Sequence, residues 1–136
     1  IEMLDLNKFQ IFISGTDAEK DVLQPLIDKV GDKVTNLIGL MTLPEFVAFI
    51  AACDGLLASG TGPVHVAAAL QKHSLGIYPP MRPIHPGRWQ PIGKNAQFFV
   101  LSKECNACKP AGTHCACTQA IQPTQIKQAL ELLCQK

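Results

Sequence analysis

"LLASGTGPVHVAAALQKHSLGIYPP", Leu56 to Pro80, decides the fold. A short apolar run is followed by a cluster of small residues, an alanine-rich segment and a second apolar run. Apolar runs bounded by turn residues read as buried strands, and Pro63 suits the first turn of a helix. Strand, glycine-rich turn, helix and strand make one βαβ unit, in which the helix carries the chain back so that the two strands run parallel.

The same alternation extends in both directions. Upstream, "KFQIFISG" reads as a strand. "TDAEKDVLQPLIDKV" reads as a helix capped by Thr16 or Asp17, with Val22, Leu26 and Val30 at helical spacing. "VTNLIGL" is a second short strand, and "TLPEFVAFIAACD" a helix facing inward through Phe46, Phe49 and Ile50. Downstream, "MRPIHPGRWQPIGKN" is a Pro/Gly-rich loop, "AQFFVLS" a strand and "TQIKQALELLCQK" a closing helix facing inward through Ile126, Leu130 and Leu133. The strands are continuous apolar runs, which suits a parallel sheet covered on both faces. The expected fold is α/β: a Rossmann-like three-layer sandwich with a mostly parallel sheet of about five strands, one domain over residues 1–136. "IEMLDL" reads as the tail of a helix, and the start at Ile1 rather than Met fits a piece of a longer protein.

Composition narrows the function. The chain has 136 residues, 47% of them hydrophobic, and a formal charge of +1. That balance argues against a nucleic-acid binder driven by phosphate neutralisation. No apolar run reaches the roughly 18 residues of a membrane-spanning helix, and no signal peptide is visible at the start.

In open α/β sheets, ligands sit at the carboxyl ends of the strands. "SGTGPVH" lies at such an end. Gly60 and Gly62 let the backbone turn tightly and approach a ligand. The helix that follows presents free N–H groups and the positive end of its dipole, which favour phosphate. Thr61 adds a hydroxyl, and neutral His65 can donate a hydrogen bond. The stretch is therefore a candidate phosphate or diphosphate site. Close packing of strand on helix would call for the same small residues, and neither common glycine-rich nucleotide motif is matched.

"LLASGTGPVHVAAALQKHSLGIYPP", with "PGRWQPIG" after it and "LIGLMTLPEFVAFIAACDGLLAS" before it, resembles the carboxyl-terminal domain of the heptosyltransferase family. The family's pattern is Ser-Asp-Thr-Gly-Pro-x-His, a small-residue helix, a strand and a Pro-rich loop. A Gly-x-Thr-Ser-Leu-x-Glu helix leads into it. The resemblance runs from about Phe9 to the last helix. It implies half of a two-Rossmann (GT-B type) glycosyltransferase. Such an enzyme moves a sugar from a nucleotide-diphospho-sugar, ADP-heptose in that family, to a lipopolysaccharide or related glycolipid acceptor. By the same resemblance, Thr61, Gly62 and His65 contact the diphosphate or sugar, Gly15 and Thr16 lie near phosphates or ribose, and Met41, Thr42 and Leu43 lie beside the base. The catalytic base belongs to an amino-terminal acceptor domain absent here, so no catalytic residue is assigned in this chain. The expected location is the cytoplasm of a bacterium, peripheral to the inner membrane. One departure stands out: Gly60 occupies the place of the family's Asp, which grips sugar hydroxyls. A nucleotide- or phosphate-binding module without transfer, or a nucleotide-sugar epimerase-like domain, are the competing readings.

Two segments remain. In the Pro-rich loop, Arg82 or Arg88 could face phosphate, while His85 and Trp89 read as structural, with Trp89 anchoring the loop to the body. His73 reads as completing the dipole at the end of the alanine-rich helix. Among six cysteines, Cys53 and Cys134 read as small buried hydrophobes. Cys105, Cys108, Cys115 and Cys117 crowd into "CNACKPAGTHCAC", beside His114. Four thiolates at this spacing could hold a structural zinc; free thiols or a local disulfide are the alternatives. Transfer itself calls for no cofactor.

Overall fold

The computed structural model describes residues 1–101 and 116–133. They fall into two compact units, Ile1–Phe46 and Val47–Lys136.

In the first unit, strands β1 (Phe12–Ile13) and β2 (Thr35–Asn36) pair in parallel. The pairing continues beyond these ends, since Ile11, Ile13 and Gly15 carbonyls accept from Thr35, Leu37 and Gly39 N–H groups at 2.8–2.9 Å. A 3-10 turn, Asp17–Glu19, leads into helix α1 (Lys20–Val30), and Gly31 stops it at φ +58°. The inner stripe of α1 is Leu23, Ile27 and Val30 rather than Val22, Leu26 and Val30: Val22 is 79% exposed and Leu26 40%, against 4% for Val30. At 100° per residue, Leu23, Ile27 and Val30 hold a narrower stripe than a set that starts at Val22. The expected helical tail at "IEMLDL" is a series of turns instead. The Asp5 carboxylate accepts from the N–H and side-chain amide of Asn7, at 3.0 and 3.1 Å, and so diverts the backbone from helical pairing.

Helix α2 (Leu43–Ala52) carries the chain into the second unit. There, strands β3 (Gly55–Ser59), β4 (His73–Ile77) and β5 (Ala96–Phe99) form a parallel sheet in the order β3-β4-β5. All five expected strands are thus present and parallel, as a pair and a triplet within separate units. Helix α3 (Gly62–Ala69) makes the crossover from β3 to β4 and packs on both. Val64 and Ala67 are fully buried beneath it. Ser74, also fully buried, donates its hydroxyl to the Val64 carbonyl at 2.5 Å, so the polar group in this contact is satisfied. The helix ends at Ala69 with Leu70 as its C-cap, and the next residue, Gln71, takes the left-handed region at φ 59° where glycine is usual; Asn95 donates to its carbonyl at 3.0 Å. His73 is therefore the first residue of β4, not the end of the helix. The Pro-rich loop contains the one-turn helix α4 (Pro86–Trp89). Another short helix, α5 (Ala116–Gln119), precedes the closing helix α6 (Pro123–Leu133). Ile50, Leu75, Cys117, Ile121 and Ala129 are buried in this unit.

Candidate functional site

The "SGTGPVH" turn sits where its sequence places it, at the carboxyl end of β3 and the start of α3. Gly60, Thr61, Gly62 and His65 come together there, the first three exposed and His65 half-buried. Neither glycine needs a left-handed backbone, since the positive-φ glycines are Gly31 and Gly39. The reasons for glycine are steric and differ. A Cβ at Gly60 would stand 2.1 Å from Cε1 of Tyr78, whereas one at Gly62 would meet nothing within 4 Å. Gly60 is thus filled from behind by a tyrosine ring, and Gly62 leaves the helix start bare toward the surface. Thr61 is the N-cap but does not cap through its side chain; its hydroxyl donates to the Ser59 carbonyl at 3.1 Å. The imidazole of His65 has no hydrogen-bond partner among the described residues.

A charge pattern marks this unit more plainly than the turn motif does. From Gly55 to Leu101 the chain carries Lys72, Arg82, Arg88 and Lys94 and not one Asp or Glu. The two arginines lie in the loop that follows β4, beyond the carboxyl ends of the strands, and neither is in a salt bridge among the described residues. Arg88 stacks over the Trp89 ring, 5.3 Å from its centroid. An acid-free segment whose two guanidiniums have no ion-pair partner among the described residues favours an anion. A cavity of about 380 Å³ lies at the opposite, amino-terminal edge of the sheet, lined by Gln71, Lys72, Lys94 and Asn95 among others, and does not include the turn.

The structural readings of the loop divide. His85 caps α4, its Nδ1 accepting from the Gly87 N–H at 3.0 Å, as a structural residue would. Trp89, 45% exposed, does not anchor the loop as a buried side chain would. Buried Pro86 and Pro91 hold the loop instead, together with the Trp89 carbonyl, which accepts from the Tyr78 hydroxyl at 2.6 Å.

In the first unit, Gly15 and Thr16 end β1, and Met41, Thr42 and Leu43 follow β2 at the same edge; the Gly15 carbonyl accepts from Gly39 N–H at 2.9 Å. Both threonines are engaged by carboxylates three residues on. Glu19 accepts from the Thr16 N–H and hydroxyl, each at 2.7 Å, and Glu45 from the Thr42 N–H and hydroxyl at 2.7 and 2.6 Å. The signal, Thr-x-x-Glu ahead of a helix, stands in the sequence twice, and it identifies both residues first as helix caps. Hydrogen bonds from Thr42, its hydroxyl foremost and then its N–H, hold the Glu45 carboxyl below its ordinary range; for Glu19 the Thr16 N–H contributes most, then the hydroxyl. A depressed carboxyl stabilises the fold above its unfolded-state pKa, and that contribution is lost as pH falls through the folded value. Thr42→Ala is therefore expected to raise the Glu45 pKa toward the ordinary carboxylate value and leave Glu19 unmoved. A side-chain carboxyl NMR titration checks this, and an unmoved Glu45 would show that the cap does not form.

Burial, with help from the neighbouring Asp54 charge, pushes the Cys53 thiol up, which suits a structural cysteine. Of the cysteine cluster, Cys117 is buried in α5, while Cys105, Cys108 and Cys115 lie outside the described residues, as does Cys134. Among the described residues no group of three or more potential metal ligands occurs.

Comparison with known proteins gives the chain a family. The family model for glycosyltransferase family 9 (heptosyltransferase) matches residues 2–119. Lipooligosaccharide heptosyltransferase 2 of Campylobacter jejuni is 29% identical over 105 residues, covering 74% of this chain and 32% of that protein. Lipopolysaccharide heptosyltransferase 2 of Salmonella typhimurium is 30% identical over 79 residues, 55% of this chain and 23% of that protein. The structure of E. coli ADP-heptose LPS heptosyltransferase II superimposes with a TM-score of 0.73 at 23% identity, over 93% of this chain and 37% of that one. This chain spans well under half the length of each of these relatives. It belongs to glycosyltransferase family 9, the heptosyltransferase family.

Proposed function

We propose that this chain holds the donor of a lipopolysaccharide-directed glycosyltransferase, a nucleotide-diphospho-sugar resembling ADP-heptose. The observation that carries this reading is the start of α3: Gly62 leaves the backbone bare at a helix N-terminus, in a segment free of carboxylates. The Gly62 N–H and the positive end of the helix would meet the diphosphate oxygens, with Thr61 and His65 beside them; the Gly60 and Thr61 N–H groups are held by the Ile77 and Ser59 carbonyls, and Pro63 has none. Arg82 and Arg88 would add bidentate donors. As the glycosidic bond to the diphosphate breaks, the same groups would stabilise the charge left on the departing nucleotide. Gly15, Thr16, Met41, Thr42 and Leu43 are assigned to the nucleoside, and residues 1–136 to one donor-binding domain. The base that activates the acceptor hydroxyl is assigned to an acceptor domain outside this chain, and a four-cysteine zinc site to Cys105, Cys108, Cys115 and Cys117. The proposed location is the cytoplasmic face of the inner membrane, at its periphery. Among the described residues no helix is long and apolar enough to cross a membrane.

Calorimetric titration of the chain with ADP, UDP, GDP and their sugar forms tests the reading. Saturable binding of ADP and ADP-sugar is expected. His65→Ala should weaken it by about tenfold, the loss of one hydrogen bond to a charged group. No nucleotide binding at millimolar ligand would overturn the reading, and inorganic phosphate bound as tightly as ADP would favour a phosphate-binding module.

A further inference from the structure

Tyr78 follows β4 directly and is 1% exposed. Its ring lies between two glycines: a Cβ at Gly60 would stand 2.1 Å from Cε1, and one at Gly76 would stand 2.4 Å from Cε2. Both edges of the ring are thus gripped by backbone that carries no side chain. Phe98 meets the ring edge-on, with centroids 6.5 Å apart. Burial pushes the phenol pKa up, so the hydroxyl stays a donor.

That hydroxyl donates to the Trp89 carbonyl at 2.6 Å. A buried tyrosine normally finds a partner; what matters here is which one. Trp89 closes α4 next to Arg88, whose guanidinium rests on the Trp89 ring. One phenol therefore spans the distance from the glycine turn to the loop that bears the arginine. Among the described residues, this is the one side-chain hydrogen bond that ties α4 to anything beyond its own His85 cap. Recognition of phosphate by a guanidinium is directional, because its planar fork must present two N–H groups at once.

We propose that Tyr78 is a positioning residue for the donor: through the Trp89 carbonyl it sets α4 so that Arg88 reaches the diphosphate at the "SGTGPVH" turn. This rests on the donor site proposed above. Tyr78 itself touches no ligand; its ring fixes the turn on one side and its hydroxyl fixes the loop on the other.

Tyr78→Phe keeps the ring and removes the link. The test compares the native 136-residue chain, Tyr78→Phe, Arg88→Ala and the double variant by two readouts. Acrylamide quenching of Trp89, the single tryptophan, follows the loop without ligand, and calorimetry with ADP follows the site. Tyr78→Phe should raise Trp89 quenching and weaken ADP binding by about 3- to 10-fold, a range set by one lost hydrogen bond. In the Arg88→Ala background the same change should cost less than about twofold, because the group it positions is gone. Unchanged quenching, or an equal loss in both backgrounds, overturns the proposal. If the native chain binds no ADP while Tyr78→Phe still raises quenching, the donor-site reading is what has failed, and the role of Arg88 falls with it. If ADP binds and Tyr78→Phe changes neither readout, the role of Tyr78 alone is refuted.

Discussion

Gly60→Asp is expected to cost about 2–4 kcal/mol of unfolding free energy, by forced overpacking and by a carboxylate held against an apolar ring. The first atom added, Cβ, would stand 2.1 Å from Cε1 of Tyr78 and 2.5 Å from Cδ1. The ring cannot swing clear. Gly76 holds its far edge, and the hydroxyl is bound to the Trp89 carbonyl. Tyr78→Ala alone should cost a similar or larger amount, about 3–5 kcal/mol, by leaving a cavity where a fully buried aromatic side chain stood. The two changes should not add. With the ring removed, the introduced carboxylate gains room, and the double variant should be more stable than the sum of the single losses by about 1 kcal/mol or more. Urea unfolding followed by circular dichroism measures all three. Additive losses would show that Gly60 and Tyr78 do not share the space the structure gives them. The same pair accounts for the chain's one departure from the family's turn pattern. At residue 60 there is no room for a carboxylate while Tyr78 keeps its place, so a donor at this turn would meet the Thr61 hydroxyl, the Gly62 N–H and His65 instead.

Gly62→Asp is expected to behave in the opposite way: the fold keeps or slightly gains stability, and donor binding falls by about 100-fold. The position is open, so an added side chain meets no atom within 4 Å of its Cβ. It is the first residue of α3, where a negative charge interacts favourably with the helix dipole, by about 0.3–1 kcal/mol, and where replacing glycine restricts the unfolded chain. A carboxylate there would occupy the same electropositive spot as the diphosphate and repel it. Loss of one strong charge-assisted contact together with like-charge repulsion amounts to about 2.7 kcal/mol, or 100-fold. Thermal unfolding and ADP calorimetry on one preparation check both signs. Native-like ADP binding by the stable variant would remove the start of α3 from the donor site. A large loss of stability would mean that Gly62 is needed for packing rather than for access.

Local patterns determined most of this protein. β3 runs from Gly55 to Ser59 as its apolar run reads, and α3 opens at Gly62 and Pro63, because strand runs, proline and helix starts are short-range properties of the backbone. The turn with Thr61, Gly62 and His65 was legible for the same reason, and so was the family, since its motif is nearly contiguous. The two Thr-x-x-Glu caps and the acid-free run from Gly55 to Leu101 also stand in the sequence.

Tertiary structure decided what depends on atoms distant in the chain. Val22 and Leu23 are both apolar helix residues, and only packing shows that Leu23, whose Cδ1 lies 3.0 Å from where a Cβ of Gly15 would be, belongs to the inner stripe. Trp89 reads as an anchor because it is large and apolar, yet its carbonyl is the part that is held. Gly60 reads as a turn residue, and its backbone angle is one any residue adopts. The need for glycine comes from Tyr78, eighteen positions on, whose ring is brought to it only when β4 is laid beside β3. Excluded volume acts between neighbours in space, and a sequence orders only neighbours along the chain.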